Sequence, residues 1–197
     1  MRVLITGVDG FIGSELAKAC LAQGQEVYGL SRRTTHTPSK VTYLTGEMTN
    51  AASIQAAVRE SRPDRVFHLA AQNHIGDSFK DPIGTSNTNL LGSLYLLEAV
   101  AQQLPHARVV SVGSSAEYGW TAAQTDFLQE EMPLHPKSPY GISKAAQAML
   151  CRVFSITHKL LVVHARPFAV IGPPKTRDAI SDFCRAIVAI ETGMQKA

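Results

Sequence analysis

Tyr140 and Lys144 stand four residues apart in the run Ser138-Pro139-Tyr140-Gly141-Ile142-Ser143-Lys144. Ser138 supplies a hydroxyl that can cap free helix amides, and Pro139 a φ that is already helical, so a helix is expected from Pro139 to about His158. On such a helix Tyr140 and Lys144 share one face. A phenol beside a fixed ammonium is expected to ionise more readily than a free tyrosine, because the neighbouring positive charge favours the phenolate. That makes a general acid/base usable near neutral pH. A Tyr-xxx-Lys pair also arises by chance on exposed helices, so its meaning depends on what surrounds it.

A second chemical signal opens the chain. Val3-Leu4-Ile5 is a short apolar run of the kind that forms a buried parallel strand, followed by Thr6-Gly7-Val8-Asp9-Gly10-Phe11-Ile12-Gly13 and then a segment with helical apolar spacing at Phe11, Leu16, Ala19 and Cys20. Strand, glycine turn and helix form the context in which a dinucleotide is held. Gly7 allows the tight turn, Gly10 a close approach to pyrophosphate, and Gly13 close packing of helix on strand. The helix start at Phe11 and Ile12 offers unpaired amides to the phosphates.

The second strand, Gln25 to Leu30, ends at Ser31-Arg32-Arg33 with no acid to accept from a ribose 2′-hydroxyl. Arginine can instead grip a 2′-phosphate and stack on adenine, although solvated loop arginines are common. Arg32 therefore points to NADP(H), with NAD(H) as the alternative. Further strands are expected at Val41 to Leu44, Arg65 to Gln72, Arg108 to Val112 and Leu160 to Ala165. Glu47 and Met48 follow the third strand, where Glu47 is placed to face adenine. Helices are expected at Ala51 to Glu60 capped by Asn50, at Pro82 to Gln103 with an apolar stripe of Leu90, Leu91, Leu94, Leu97, Val100 and Ala101, and at Ser181 to Ile190. Residues 120–138 read as loop. His68, inside a strand, reads as a satisfied interior histidine.

Alternating strands and helices predict a doubly wound parallel α/β sheet, a Rossmann fold. Ligands bind outside the carboxyl ends of the strands in such sheets. Ser114 and Ser115 lie at one of those ends, where a hydroxyl can orient a substrate oxygen for Tyr140 or simply cap the turn.

Composition narrows the classes. The 197 residues are 45% hydrophobic and 18% charged, with a net charge of +3, which describes a globular chain and no nucleic-acid binder. The three cysteines are far apart and form no Cys-x-x-Cys; the seven histidines form no ligand pair, so neither a disulfide framework nor a metal site is expected. No signal peptide or membrane span is read from the sequence, and a cytoplasmic protein is expected.

Thr6-Gly7-xx-Gly10-xx-Gly13, His68-Leu-Ala-Ala71, Asn89, Gly113-Ser-Ser115, Tyr140-xxx-Lys144 and Arg166-Pro-Phe168 together resemble, in order and spacing, the extended short-chain dehydrogenase/reductases, the nucleotide-sugar epimerases, dehydratases and reductases. Leu69-Ala-Ala-Gln72, Asn87-Thr-Asn89, Lys144-Ala-Ala-Gln147, Ala165-Arg-Pro-Phe168 and Ser181-Asp-Phe183 look most like the GDP-mannose branch, which holds a 4,6-dehydratase and a 4-keto reductase. The reductase is the closer. The resemblance implies Tyr140 as the proton-exchanging group, Lys144 as holder of the nicotinamide ribose and depressor of the Tyr140 pKa, and Ser114 as the orienting hydroxyl, with Ser115 as substitute. It also implies cofactor contacts from Leu69, Ala70, Ala71, Pro167 and Phe168 and from the glycine turn, and substrate contacts from Gln72 and Ser115. Two subunits would pair through a four-helix bundle built from the 82–103 and 139–158 helices.

Two positions depart from the family pattern. Dehydratases of the group carry a glutamate where this chain has Ala116; Glu117 follows one place on, and in an extended strand end a shift of one turns the side chain to the opposite side. Dehydration is therefore disfavoured against carbonyl reduction or epimerisation. Ala169 replaces an asparagine that reaches the sugar. Family members also run on for over a hundred residues. The expected organisation is a Rossmann domain at 1–166 and the beginning of a truncated substrate lobe at 167–197. The leading expectation is NADP(H)-dependent reduction of the 4-keto group of a GDP-deoxyhexose. The alternatives are an inactive dinucleotide-binding or dimerisation module and a nucleotide-sugar epimerase or dehydratase.

Overall fold

A computed structural model describes residues 1–32, 40–172, 175 and 179–194. Within them the strands are β1 (Arg2–Thr6), β2 (Glu26–Ser31), β3 (Thr42–Thr45), β4 (Arg65–His68), β5 (Arg108–Val112) and β6 (Leu161–Ala165). They form one sheet in the order β3-β2-β1-β4-β5-β6, parallel at every pairing. The order reverses between β1 and β4, the crevice where open α/β sheets bind ligands. The helices are α1 (Phe11–Ala22), α2 (Ala51–Ser61), α3 (Ile75–Lys80), α4 (Pro82–Ser86), α5 (Gly92–Gln103), α6 (Pro139–Thr157) and α7 (Ala179–Glu191). The Rossmann architecture is the one expected.

Strand pleating sends alternate residues to opposite faces. Val3 and Ile5 join Val27, Ala17 and Cys20 in one core layer. Leu4, between them, faces the other layer with Leu30, Val66, Val109, Leu96, Leu97 and Phe154. Removing a core leucine side chain of this kind costs about 2–5 kcal/mol. Caps mark the helix starts that the sequence announced. Asn50 accepts from the Ser53 amide at 3.1 Å, and Ser138 Oγ accepts from the Gly141 amide at 3.0 Å.

Several local expectations are corrected. The helix expected from Pro82 to Gln103 is interrupted by a π turn, Asn87–Leu91, between α4 and α5. Its stripe faces the core only in α5: Leu97 and Val100 are buried, and Leu94 and Ala101 pack beside them, whereas Leu91 of the π turn is exposed and Leu90 stands outside the core cluster. β4 stops at His68, four residues before Gln72, because the Leu69 and Ala70 amides turn to the Thr6 hydroxyl. The 120–138 segment contains a 3-10 turn at Thr121–Ala123. α3 carries no apolar run long enough to be read as a helix. α7 begins two residues before Ser181, and on α1 the buried residues include Ala17 and Cys20, with Ala19 exposed.

The chain divides into two compact units, Met1–Pro167 and Phe168–Ala197. Within the second, Arg185 pairs with Asp182 at 3.0 Å and donates to the Lys175 carbonyl at 3.1 Å. Cys20 and Cys151 are buried free thiols, and Cys184 is an exposed one. Among the described residues no helix is long and apolar enough to cross a membrane.

Candidate active site

The glycine turn after β1 is built to leave a backbone surface open. Gly7 has φ +70°, and a Cβ there would lie 2.8 Å from the Ala70 nitrogen. A Cβ on Gly13 would lie 2.1 Å from the Gly7 oxygen. Gly10 occupies the N-cap of α1 with no side-chain cap, so the first-turn amides at Phe11 and Ile12 face outward unclaimed by a side chain. The turn is pinned to β2: the Gly7 amide donates to the Leu30 carbonyl at 3.2 Å, and Ser31 Oγ donates to the Asp9 carboxylate at 2.9 Å. An uncapped helix start beneath a side-chain-free turn fits a pyrophosphate. Arg32 is exposed at the end of β2; Arg33 lies outside the described residues.

Thr6, fully buried, ties this turn to β4. Its Oγ1 accepts from the Leu69 and Ala70 amides at 3.2 and 3.1 Å, which leaves its proton for His68 Nδ1 at 2.8 Å. His68 Nε2–H then donates to Ser93 Oγ at 2.8 Å. Burial, reinforced by the nearby Lys144 charge, pushes the His68 pKa down to about 3. His68 is thus the neutral interior histidine that its place in the strand suggested.

At the end of β5, Ser114 caps a 3-10 turn, Ser115–Glu117. The turn and the first turn of α6 bring serine and phenol together, close enough for the Ser114 side chain to act on the Tyr140 phenol. Tyr140 is 8% exposed. Its pKa lies above the ordinary tyrosine range because burial penalises the phenolate; the nearby Ser114 hydroxyl opposes that and the Glu117 charge adds to it. This corrects the expectation that Lys144 would lower it. The Lys144 ammonium instead donates to the Val112 carbonyl at 2.8 Å and to Gln147 Oε1 at 2.9 Å. Burial brings the Lys144 pKa down to about 8, with Glu117 and Cys151 pulling the other way.

Glu117 does not lie on an extended strand end as the sequence suggested. It belongs to the 3-10 turn and is fully buried, accepting from the Ser114 amide at 2.8 Å, His164 Nε2 at 3.0 Å and Arg166 Nε at 2.8 Å. With both oxygens engaged it serves the frame. Gly113 makes room for it, since a Cβ there would meet Glu117 Oε1 at 2.0 Å.

Gln72 is held by Asn89, which accepts from the Gln72 amide at 2.8 Å and donates to its carbonyl at 2.9 Å. Asn89 sits in the π turn and also donates to Ser143 Oγ of α6 at 3.0 Å. Turns of this kind recur at functional sites. Gln72 Oε1 is buried without a hydrogen-bond partner among the described residues. The Ser115 amide donates to the Pro167 carbonyl at 3.0 Å. Leu69, Ala70 and Ala71 are half-buried beside the glycine turn; Glu47 is exposed, whereas the Met48 side chain is buried in the core against Gly92. Phe168 belongs to the second unit and is exposed. Sequence reasoning assigned no role to Thr6, Ser111, Gln147, His164 or Arg166. The signal was there, in polar residues standing within apolar runs where burial demands partners.

The family model of GDP-mannose 4,6 dehydratase matches residues 4–197. The chain belongs to that family. It is 33% identical over 195 residues to the GDP-6-deoxy-D-mannose reductase of Pseudomonas aeruginosa, covering 98% of this chain and 60% of the relative. To the GDP-mannose 4,6-dehydratase of Yersinia enterocolitica it is 32% identical over 160 residues, 73% of this chain and 42% of that one. The UDP-glucose 4-epimerase of Thermus thermophilus in complex with NAD superposes with a TM-score of 0.85 at 32% identity, over 98% of this chain and 63% of the other. RMD from Pseudomonas aeruginosa complexed with NADPH gives 0.81 at 31% identity, over 100% and 64%. The chain thus spans 60% of the reductase and less of the dehydratase.

Proposed function

We propose that this chain is the cofactor-binding and proton-delivering part of an NADP(H)-dependent nucleotide-sugar reductase, acting on the 4-keto group of a GDP-deoxyhexose. The observation that carries the reading is the placement of the Ser114 side chain beside Tyr140 at the carboxyl edge of the sheet, with Lys144 on the same helix face. A nicotinamide dinucleotide supplies hydride when bound. The glycine turn and α1 start would hold its pyrophosphate, and Arg32 its 2′-phosphate. Ser114 Oγ would orient the ketone oxygen, and Tyr140 Oη would give it the proton that completes the new hydroxyl. Gln72 Oε1, unpartnered, would accept from a ligand hydroxyl or amine.

The direction follows from charge. Reduction needs Tyr140 as the acid, whereas epimerisation and dehydration begin by oxidising a hydroxyl and need it as the base. A phenol held above its usual pKa by burial stays protonated through neutral pH, which supports reduction. Engagement of Glu117 with Arg166 and His164 leaves it unsuited to removing a sugar proton.

Association into pairs is part of the reading. Ile142, Met149, Val153 and Ile156 form an exposed apolar stripe along α6, at spacings that share one face. A second copy would cover it. A dinucleotide-binding module without turnover is the second reading, favoured by Ala169. NADPH oxidation with the 4-keto-6-deoxy sugar of GDP-mannose separates the two. The account expects turnover in wild type and its loss in Tyr140→Phe with NADPH affinity kept. Binding of NADPH with no oxidation in wild type favours the idle module.

A further inference from the structure

A row of largely buried polar side chains runs behind Lys144, and with a neutral His164 ring each bond in it has one direction. The Lys144 ammonium can only donate, so the Gln147 atom 2.9 Å away is its carbonyl Oε1. Gln147 Nε2 therefore donates to Ser111 Oγ, at 2.7 Å. Glu117 can only accept, so the His164 Nε2 facing it at 3.0 Å carries a proton. In the neutral ring Nδ1 then accepts, and the Ser111 hydroxyl points at it across 3.2 Å. The row ends on Glu117, whose other oxygen holds Arg166 at 2.8 Å. Gln147 and Glu117 are fully exposed to no solvent at all, and Ser111 is 1% exposed.

We propose that Gln147, Ser111 and His164 are positioning residues for Lys144, a directional hydrogen-bond chain that keeps its ammonium charged by linking it to the Glu117 carboxylate. Each link turns its negative end toward Lys144: the amide oxygen first, then the hydroxyl oxygen toward the amide N–H. Bonds aligned head to tail polarise one another, and in a dry interior the effect is larger than in water. Such a device is needed because burial opposes the charge on Lys144. The other titratable groups around it offer no equivalent. His68 of β4 is neutral, Tyr140 and Cys151 of α6 hold their protons, and Arg166 after β6 is cationic and already bound to Glu117. α6 carries both the ammonium and one of its two partners in a single turn: Gln147 lies three residues after Lys144, on the same face.

The inference deepens the reading of Lys144 as part of the active set, and its test does not depend on turnover. Lysine labelled with 13C at Cε, in the ligand-free 197-residue chain, gives the Lys144 titration midpoint directly, assigned by its loss in Lys144→Arg. Gln147→Leu should lower the midpoint by about one unit, because an acceptor for the charged form is gone. Gln147→Glu should raise it. Ser111→Ala should lower it by less, although both direct partners of the ammonium remain. Opposite shifts for the two Gln147 variants are something a packing role would not produce. Equal shifts for both, or an unmoved midpoint in Ser111→Ala, would overturn the proposal. If Gln147→Leu does not fold, the Ser111→Ala and Gln147→Glu shifts decide by the same criteria. The alkaline limb of NADPH oxidation should move with the midpoints; midpoints that move while wild type shows no turnover would uphold the chain and reject the reductase.

Discussion

The Lys144 ammonium lies 2.8 Å from the carbonyl oxygen of Val112, the last residue of β5. A helix side chain thus closes the end of a strand, and the sheet edge and α6 are fixed to each other at the point where Ser114 and Tyr140 meet. This costs stability, because the charge is taken from water. With a folded pKa near 8 and an ordinary value of 10.5, the unfolded chain binds the proton more tightly between those pH values. Stability is therefore expected to gain from this group as pH rises from about 8 to 10.5, and to lack that gain below 8. Compared by urea unfolding, Lys144→Met should lose ground to wild type as pH is raised through that window. Parallel pH dependence in the two proteins would contradict the assignment.

His68 works on the acid side. Its folded pKa of about 3 lies below the ordinary 6.5, so its contribution is intact above pH 6.5 and is lost as pH falls toward 3, by about 1.4 kcal/mol per unit at most. Nitrogen NMR should find a single neutral Nε2–H tautomer from pH 8 down to pH 5. Titration near 6.5 would show that the Thr6–His68–Ser93 chain does not hold.

Breaking the Glu117 cluster should be costly in a different way. Glu117→Gln keeps the shape but leaves the Arg166 guanidinium, 19% exposed along its side chain, facing a neutral amide. Removing one member of a buried pair costs about 3–5 kcal/mol, read as a lower urea midpoint. A variant as stable as wild type would show that Glu117 is not the anchor of the turn.

The glycines make a graded prediction. A Cβ on Gly13 would sit 2.1 Å from the Gly7 oxygen, whereas one on Gly10 would sit 3.2 Å from it. Gly13→Ala should therefore distort the turn and lose both thermal stability and NADPH affinity, with Gly10→Ala closer to wild type in stability. NADPH fluorescence and melting temperature check both; equal behaviour would contradict the packing.

Much of this was legible because the cues are local. Ser138-Pro139 announced α6, Asn50 announced α2, and β-branched runs between glycines announced the strands. The Ser114, Tyr140 and Lys144 positions followed from spacing and resemblance. What escaped depends on contacts far apart in sequence. Gln147, Ser111, His164 and Glu117 come from four separate elements, so no window of sequence shows that they form one chain. The Tyr140 pKa was misread for the same reason: the i,i+4 spacing suggested that Lys144 would act on the phenol, while the structure turns the ammonium to Val112 and Gln147. Glu117 was placed on an extended strand end because nothing nearby in sequence signals the 3-10 turn that buries it.

The central claim is that the glycine turn, Arg32 and the Ser114–Tyr140–Lys144 set form a working dinucleotide site, and calorimetric titration of the purified chain with NADPH and with NADH tests it most directly. The account predicts saturable 1:1 binding of NADPH, tighter than NADH, with the preference diminished in Arg32→Ala. Binding of neither dinucleotide to the folded chain would contradict it.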